Sequence, residues 1–223
     1  DADLVLSGNS AGDLVGASVI RPTDLYGGGE QTIAVGAPGV STIYILDGYP
    51  YSSTRIESAA SFSLVGEPGL ASGGAGTTLS DAGDLNGDGY SDLLIGAPGA
   101  ESMAGKVYVL CGRSAADFAA FGGTIDLESW SDAQFVGENP GDEAGTAIAG
   151  IGDQNLDGVD DFIVGAPGVD YDGSNDAGAV YLLLGHPTDM GLGIRELAHL
   201  SGSWPEGRLG TQIDGSQDVD NDG

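Results

Sequence analysis

The chain has 223 residues, 40% of them hydrophobic, which is enough for one substantial folded core and too much for a disordered acidic tail. Its 34 acidic residues against 6 basic ones leave a formal charge of −28, so the clustered Lys and Arg that neutralise phosphate are missing and binding to nucleic acid or an anionic membrane is excluded. No stretch reaches the 18 or more consecutive apolar residues of a membrane helix, and Cys111, the single cysteine, has no partner for an intramolecular disulfide.

In chain order, the first strand signal is Leu4-Val5-Leu6-Ser7-Gly8. Gly16 then opens a unit that contains Asp24, the apolar stretch ending in Gly36-Ala37-Pro38-Gly39, the run Thr42-Ile43-Tyr44-Ile45-Leu46, and the stretch Phe62-Ser63-Leu64-Val65-Gly66. A second unit follows the same order from Gly76. Its first strand signal, Thr77 to Leu79, leads into Asp84-Leu85-Asn86-Gly87-Asp88-Gly89-Tyr90-Ser91-Asp92, and Leu93-Leu94-Ile95-Gly96-Ala97-Pro98-Gly99 leaves it. Lys106-Val107-Tyr108-Val109-Leu110 and Ala133-Gln134-Phe135-Val136-Gly137 complete the unit. A third unit starts at Gly145 with Thr146 to Ala149. It continues through Asp153-Gln154-Asn155-Leu156-Asp157-Gly158-Val159-Asp160-Asp161, then Phe162 to Gly168, Ala179 to Leu183 and Leu197 to Ser201. A fourth begins at Gly210 with Thr211 to Ile213 and reaches Asp218-Val219-Asp220-Asn221-Asp222-Gly223.

Gly16, Gly76, Gly145 and Gly210 each stand eight residues before Asp24, Asp84, Asp153 and Asp218, so the units are offset by 60, 69 and 65 residues. That period is too long for a helical solenoid, and four short strands per unit describe the blades of a β-propeller. The predicted fold is therefore all-β, a propeller of four-stranded antiparallel blades with about three and a half repeats, near 9–66, 67–137, 138–201 and 202–223. Proline lacks a ladder donor, so each Gly-Ala-Pro should end the second strand. Forty-one glycines, far above a usage of about 7%, fit many tight turns between short strands.

The loops carry the chemistry. Side-chain oxygens at positions 1, 3, 5 and 9, with a backbone carbonyl at position 7, form the oxygen set of a hard cation such as Ca²⁺. In the second unit these are Asp84, Asn86, Asp88, Tyr90 and Asp92; in the third they are Asp153, Asn155, Asp157, Val159 and Asp161. Asp218, Asp220 and Asp222 start a further set. Position 12 of the first loop is Ile95, inside an apolar run, where a helix-loop-helix calcium hand needs a bidentate Glu, so this is a loop between strands. The Asp24 unit has Tyr26, Gly28 and Thr32 at ligand positions and should hold no ion.

The pattern Gly-x₇-Asp-x-Asn-x-Asp-Gly-x-x-Asp-x-x-x-Gly-Ala-Pro resembles the FG-GAP repeats of the integrin α-subunit β-propeller, which also occur in secreted and surface proteins of bacteria. The phenylalanine of the "FG" is replaced by Val15, Ala75, Ala144 and Leu209. An ion that clamps the hairpin between the first two strands would be structural, ahead of one that bridges directly to a partner. The resemblance implies a protein or glycan ligand on the face opposite the ion loops, and an extracellular or cell-surface setting is expected, where millimolar calcium would fill such loops. That opposite face would carry Glu67 to Gly73, Glu101 to Ala104, Glu138 to Glu143, Asp170 to Asp176 and Ser203 to Gly207. The leading reading is a protein-binding or adhesion module. The alternatives are a subunit that assembles into a fibre or surface layer through blade edges, and a noncatalytic domain of a larger secreted enzyme.

Other candidates weigh less. Asp170 to Asp176 alternates carboxylates but lacks the register of the repeat loops and reads as a solvated acidic loop. Trp130 and the Trp204-Pro205-Glu206 turn read as packing between blades ahead of partner anchors. Cys111, at the end of an apolar run, reads as a buried small hydrophobe. His186 and His199 stand in no zinc-binding spacing and no Gly-x-Ser-x-Gly elbow is present, so the sequence offers no catalytic residue. Three blades are fewer than the four to eight that close a ring, so either further blades in a longer polypeptide or strands donated by a second molecule are expected.

Overall fold

The computed structural model describes residues 5–27, 32–48, 54–70, 73–187 and 195–215. A two-residue strand, β1 (Leu6–Ser7), precedes the first blade. That blade comprises β2 (Val19–Ile20), β3 (Thr32–Ala37), β4 (Thr42–Asp47) and, after the short β5 (Thr54–Arg55), the outer β6 (Phe62–Val65). The second blade runs β7 (Thr78–Gly83), β8 (Asp92–Ala97), β9 (Lys106–Leu110) and, after β10 (Thr124–Asp126), the outer β11 (Ala133–Val136). The third is β12 (Ala147–Gly152), β13 (Asp161–Ala166), β14 (Ala179–Leu184) and β15 (Arg195–Ser201). Within each blade consecutive strands pair antiparallel, as the blades of an all-β propeller require.

The sequence explains where strands stop. β3, β8 and β13 each end on the alanine of Gly-Ala-Pro, because the following proline has no N–H for the ladder. β8 and β9 are buried at every position, which is why they read as continuous apolar runs without alternation. Cores lie between blades. Ile43, Ile45, Phe62 and Leu64 of the first blade share a cluster with Leu79, Leu93, Ile95, Tyr108 and Leu110 of the second. Leu94, Val107 and Val109 share another with Phe162, Val164, Tyr181 and Leu183 of the third.

The seams between blades are glycine against backbone. A methyl group on Gly36, Gly96 or Gly165 would overlap the carbonyl oxygen of Gly76, Gly145 or Gly210 in the next unit. Those second glycines have φ of +89°, +86° and +89°, a conformation that a side chain would strain. The innermost segments, Ala17-Ser18, Thr77 to Leu79, Thr146 to Ile148 and Thr211 to Asp214, line an open groove of about 670 Å³.

The structure departs from the expected blades in three places. β10 belongs to the second unit by sequence but adds in parallel to β6, making the first sheet five-stranded; β5 pairs in parallel with β1 in the same way. Each strap is followed by a one-turn helix, Ile56–Ala59 or Leu127–Trp130, that tucks Ile56 or Leu127 inside. Thr211 to Ile213 forms no strand; an isolated bridge of Leu209 to Gly178 is made beside it. The tryptophans do not pack between blades. Trp130 is 56% exposed and meets Phe121 edge-on, since Leu127 fills the inward position of its single helical turn, and Trp204 is 78% exposed on the tip of a turn closed by Gly207 N–H to its carbonyl.

Candidate metal centre

The loop from Asp84 to Asp92 joins β7 to β8, and that from Asp153 to Asp161 joins β12 to β13. Both are entered through a bulge that ends on a glycine, Gly83 at φ +74° and Gly152 at +71°. Asp84 then gathers the turn. Its Oδ1 accepts from the N–H of Gly87 (2.7 Å) and Asp88 (3.1 Å), and its Oδ2 from Gly89 (2.9 Å). Asn86 Oδ1 accepts from Asp88 N–H and Asp88 Oδ1 from Tyr90 N–H, both at 2.9 Å. The second loop repeats the scheme: Asp153 accepts from Asp157 N–H (3.1 Å) and Gly158 N–H (2.8 Å), Asn155 from Asp157 N–H (2.9 Å), and Asp157 from Val159 N–H (3.1 Å). Leu156, at φ +62° and 89% exposed, takes the left-handed position that Gly87 fills in the first loop.

Position 9 differs in kind from the others. Asp92 and Asp161 are fully buried at the first residue of β8 and β13. Among the described residues Asp92 accepts only backbone donors, Leu85 N–H (2.8 Å) on Oδ2 and Gly112 N–H (2.9 Å) on Oδ1. Asp161 is held by Gln154 N–H (2.9 Å) and Gly185 N–H (3.0 Å) in the same way. Burial, with Asp88 and Asp84 adding to it, pushes the Asp92 carboxyl up to about 7 against the pull of its two N–H partners. Asp161 is raised for the same reasons, burial first. A buried carboxylate flanked by two more carboxylates and answered only by neutral donors is an uncompensated charge.

The oxygens that would hold a hard cation are thus the side chains of Asp84, Asn86, Asp88 and Asp92 with the Tyr90 carbonyl, and those of Asp153, Asn155, Asp157 and Asp161 with the Val159 carbonyl. Among the described residues no three His, Cys, Asp or Glu side chains already stand in metal-holding geometry. The carboxylates at positions 1 and 5 are turned to the loop's own N–H groups, and the Asn86 and Asn155 amides donate to Asp88 and Asp157 (2.9 and 3.0 Å). The donor chemistry nevertheless fits a cation, and closing around one needs side-chain rotations in loops whose backbone is already folded. Asp218, Asp220 and Asp222 lie outside the described residues. The Asp24 loop contributes Leu25 and Tyr26 to the core. The 170–176 loop closes on itself through Tyr171 and Ser174 and an Asp176 N–H to Asp170 bond (2.9 Å).

Two groups escaped the ligand frame. Asp160, at the unconstrained position 8, bonds the neighbouring loop, and Asp81 accepts from Thr23 N–H (2.7 Å) and from the Ser91 hydroxyl, joining the first two blades. On the other face the single lysine, Lys106, is buried and paired with Glu101 (3.2 Å) and Glu128 (3.0 Å), and Tyr108 donates its hydroxyl to Glu128. There Glu101, Ser102 and Met103 form three successive left-handed residues, φ 50°, 60° and 66°, and the Met103 carbonyl accepts from Gly141 (3.1 Å) and Glu143 (2.9 Å). Cys111 is buried, its thiol pushed up by that burial, and His186 and His199 are exposed.

Comparison with known proteins matches the FG-GAP repeat family profile to residues 75–110, which hold the whole first loop. The chain is 38% identical over 106 residues to phosphatidylinositol-glycan-specific phospholipase D of Bos taurus, covering 46% of this chain and 12% of that protein. It is 35% identical over 113 residues to integrin alpha-PS2 of Drosophila melanogaster, covering 47% of this chain and 7% of the integrin. To integrin alpha-3 of Mus musculus it is 31% identical over 160 residues, 69% of this chain and 13% of the integrin. The chain therefore spans only a small part of each of these relatives.

Proposed function

Because this chain carries FG-GAP repeats folded as an integrin-like β-propeller, we propose that it is an extracellular, calcium-stabilised module that binds a protein or glycan ligand in adhesion and performs no catalysis itself. The observation that carries the binding role is the face built from the connections between second and third strands and between blades. It exposes Trp204 (78%) and Tyr171 (49%) on loops tied together by Glu206 N–H to Asn175 and Arg208 N–H to Asp176, and Met103 (49%) on a loop whose Met103 carbonyl accepts from Gly141 and Glu143. Large exposed apolar side chains gathered on one face mark interaction sites, and Trp and Tyr are enriched at binding hot spots. The relatives named as integrins support the same setting.

Calcium in this reading sits on the opposite face, in the loops of Asp84 and Asp153. It offsets the charge of Asp92 and Asp161 and stabilises the folded chain by mass action. The matching stretch of a phospholipase favours a second reading, in which the same propeller is a noncatalytic domain of a larger secreted enzyme.

The test is affinity capture from extracellular material with the wild-type chain, with Trp204→Ala/Tyr171→Ala, and with Asp88→Ala/Asp157→Ala at saturating calcium. A ligand lost with the first pair and kept with the second supports this face. A ligand lost only with the second pair moves the site to the ion loops.

A further inference from the structure

The two complete loops belong to different blades, yet one residue joins them. Asp160 is position 8 of the second loop, between Val159 and Asp161. Its N–H donates to the carbonyl of Asp84 (3.0 Å), and its Oδ2 accepts the N–H of Asp84 (2.7 Å). Both backbone polar groups of the first residue of the first loop are therefore held by a residue of the second. Alongside, His186 N–H donates to the Leu85 carbonyl (2.8 Å), and Val159 comes close enough to Gly87 that a methyl there would stand 3.2 Å from its Cγ1. A methyl on Gly83 would overlap the Asp160 carboxylate, so the glycine that ends β7 is what admits it. The first seam is built differently. Ser91, at the same position 8, also donates its N–H to the Asp24 carbonyl (3.0 Å), but its hydroxyl turns to Asp81.

We propose that Asp160 couples the two loops, so that a cation bound in one raises the affinity of the other. The proposal rests on the cation reading of these loops. Drawing the Val159 carbonyl and the Asp161 carboxylate onto an ion fixes the residue between them. Fixing Asp160 fixes the peptide groups on both sides of Asp84 and so the direction of the Asp84 carboxylate. Ordering that the first ion has already imposed need not be repeated for the second, which is positive cooperativity, and linkage makes it reciprocal. Asp160 is a positioning residue here.

Terbium, a luminescent stand-in for calcium, separates the loops, because Tyr90 at position 7 can sensitise an ion in the first loop while Val159 in the second cannot. In the full chain, Asp157→Ala should raise the terbium midpoint of the Tyr90-sensitised signal about tenfold, within the usual range of coupling between sites. In an Asp160→Ala background Asp157→Ala should cause no further shift. Asp160→Asn, which keeps an oxygen for the Asp84 N–H, should retain the coupling, while Asp160→Ser, copying Ser91, should lose it. Melting curves recorded in parallel separate lost coupling from lost folding, and the Asp157→Ala comparison needs no change at 160. An unchanged midpoint in Asp157→Ala, with terbium still bound, overturns the coupling and leaves the cation reading standing. Coupling that survives both Asp160→Ala and Asp160→Ser overturns the role of Asp160. Failure of both loops to bind terbium, and calcium by calorimetry, defeats the cation reading and the inference with it.

Discussion

A methyl group at Gly96 would overlap both Thr78 Oγ1 and the carbonyl of Gly145, with the backbone of the next blade fixed behind it. Overpacking of this kind costs about 1–3 kcal/mol, and here the obstacle is main chain that cannot turn aside. Gly96→Ala should therefore lower the denaturation midpoint clearly, while Gly12→Ala, with nothing within 4 Å of the added carbon and an ordinary φ, should leave it nearly unchanged. A second residue-scale prediction concerns alkaline pH. Burial and the bond to Glu128 hold the Tyr108 hydroxyl well above the ordinary 10.0, and Lys106 is raised above 10.5 because Glu128 and Glu101 outweigh the opposing effect of burial. Both groups keep their protons longer when folded, so their contribution is complete below about pH 10 and is lost as pH rises beyond it. The melting temperature should fall above that pH, and Tyr108→Phe, which cannot ionise, should flatten the fall.

Elements that cross from one unit to the next carry stability that no single repeat reveals. β10 follows β9 in the chain yet lies beside β6, and its Ile125 is 1% exposed within the cluster of the first two blades. The helix Ala115–Ala120 adds Phe118, stacked 4.9 Å from Phe62 and edge-on to Tyr26 at 5.4 Å. Ile125→Ala should cost about 2–5 kcal/mol in chemical denaturation, the usual range for emptying a buried site. Trp130→Ala removes a larger but mostly exposed side chain and should stay within about 0.5 kcal/mol. These straps were not legible in the sequence. Thr54-Arg55 and Thr124-Ile125-Asp126 are too short to show alternation, and their partners, Leu6-Ser7 and Ser63 to Val65, lie in other units. The first two strands of a blade were legible because they recur at a fixed distance from Asp84 and Asp153, and the third and fourth because apolar runs follow in the same order in each unit. Position 8 of the loops was not, because the ligand frame leaves it open and it is Ser91 in one copy and Asp160 in the other. Trp130 and Trp204 misled for a different reason, since the identity of a large ring says nothing of which side of a single turn it occupies.

At the scale of the whole molecule, a formal charge of −28 poses two separable electrostatic problems. Most of the acids are spread over a surface where repulsion is weak and salt screens it, with a Debye length of about 10 Å at 0.1 M ionic strength. Asp92 and Asp161 are fully buried, where mobile ions do not reach, so either a cation placed in the loop or a proton on the carboxyl must answer them. Sodium chloride should therefore raise the melting temperature gradually and to a similar extent in wild type and in Asp88→Ala/Asp157→Ala. A few millimolar calcium chloride should raise that of the wild type well beyond sodium chloride at matched ionic strength, and an excess of EGTA should abolish the difference. In the double variant the extra increment should vanish while the screening increment stays. Equal increments from the two salts in the wild type would mean that calcium acts on the surface charge alone, and the buried pair would then have to be neutralised by proton uptake on folding, which a calorimetric proton count across two buffers would register.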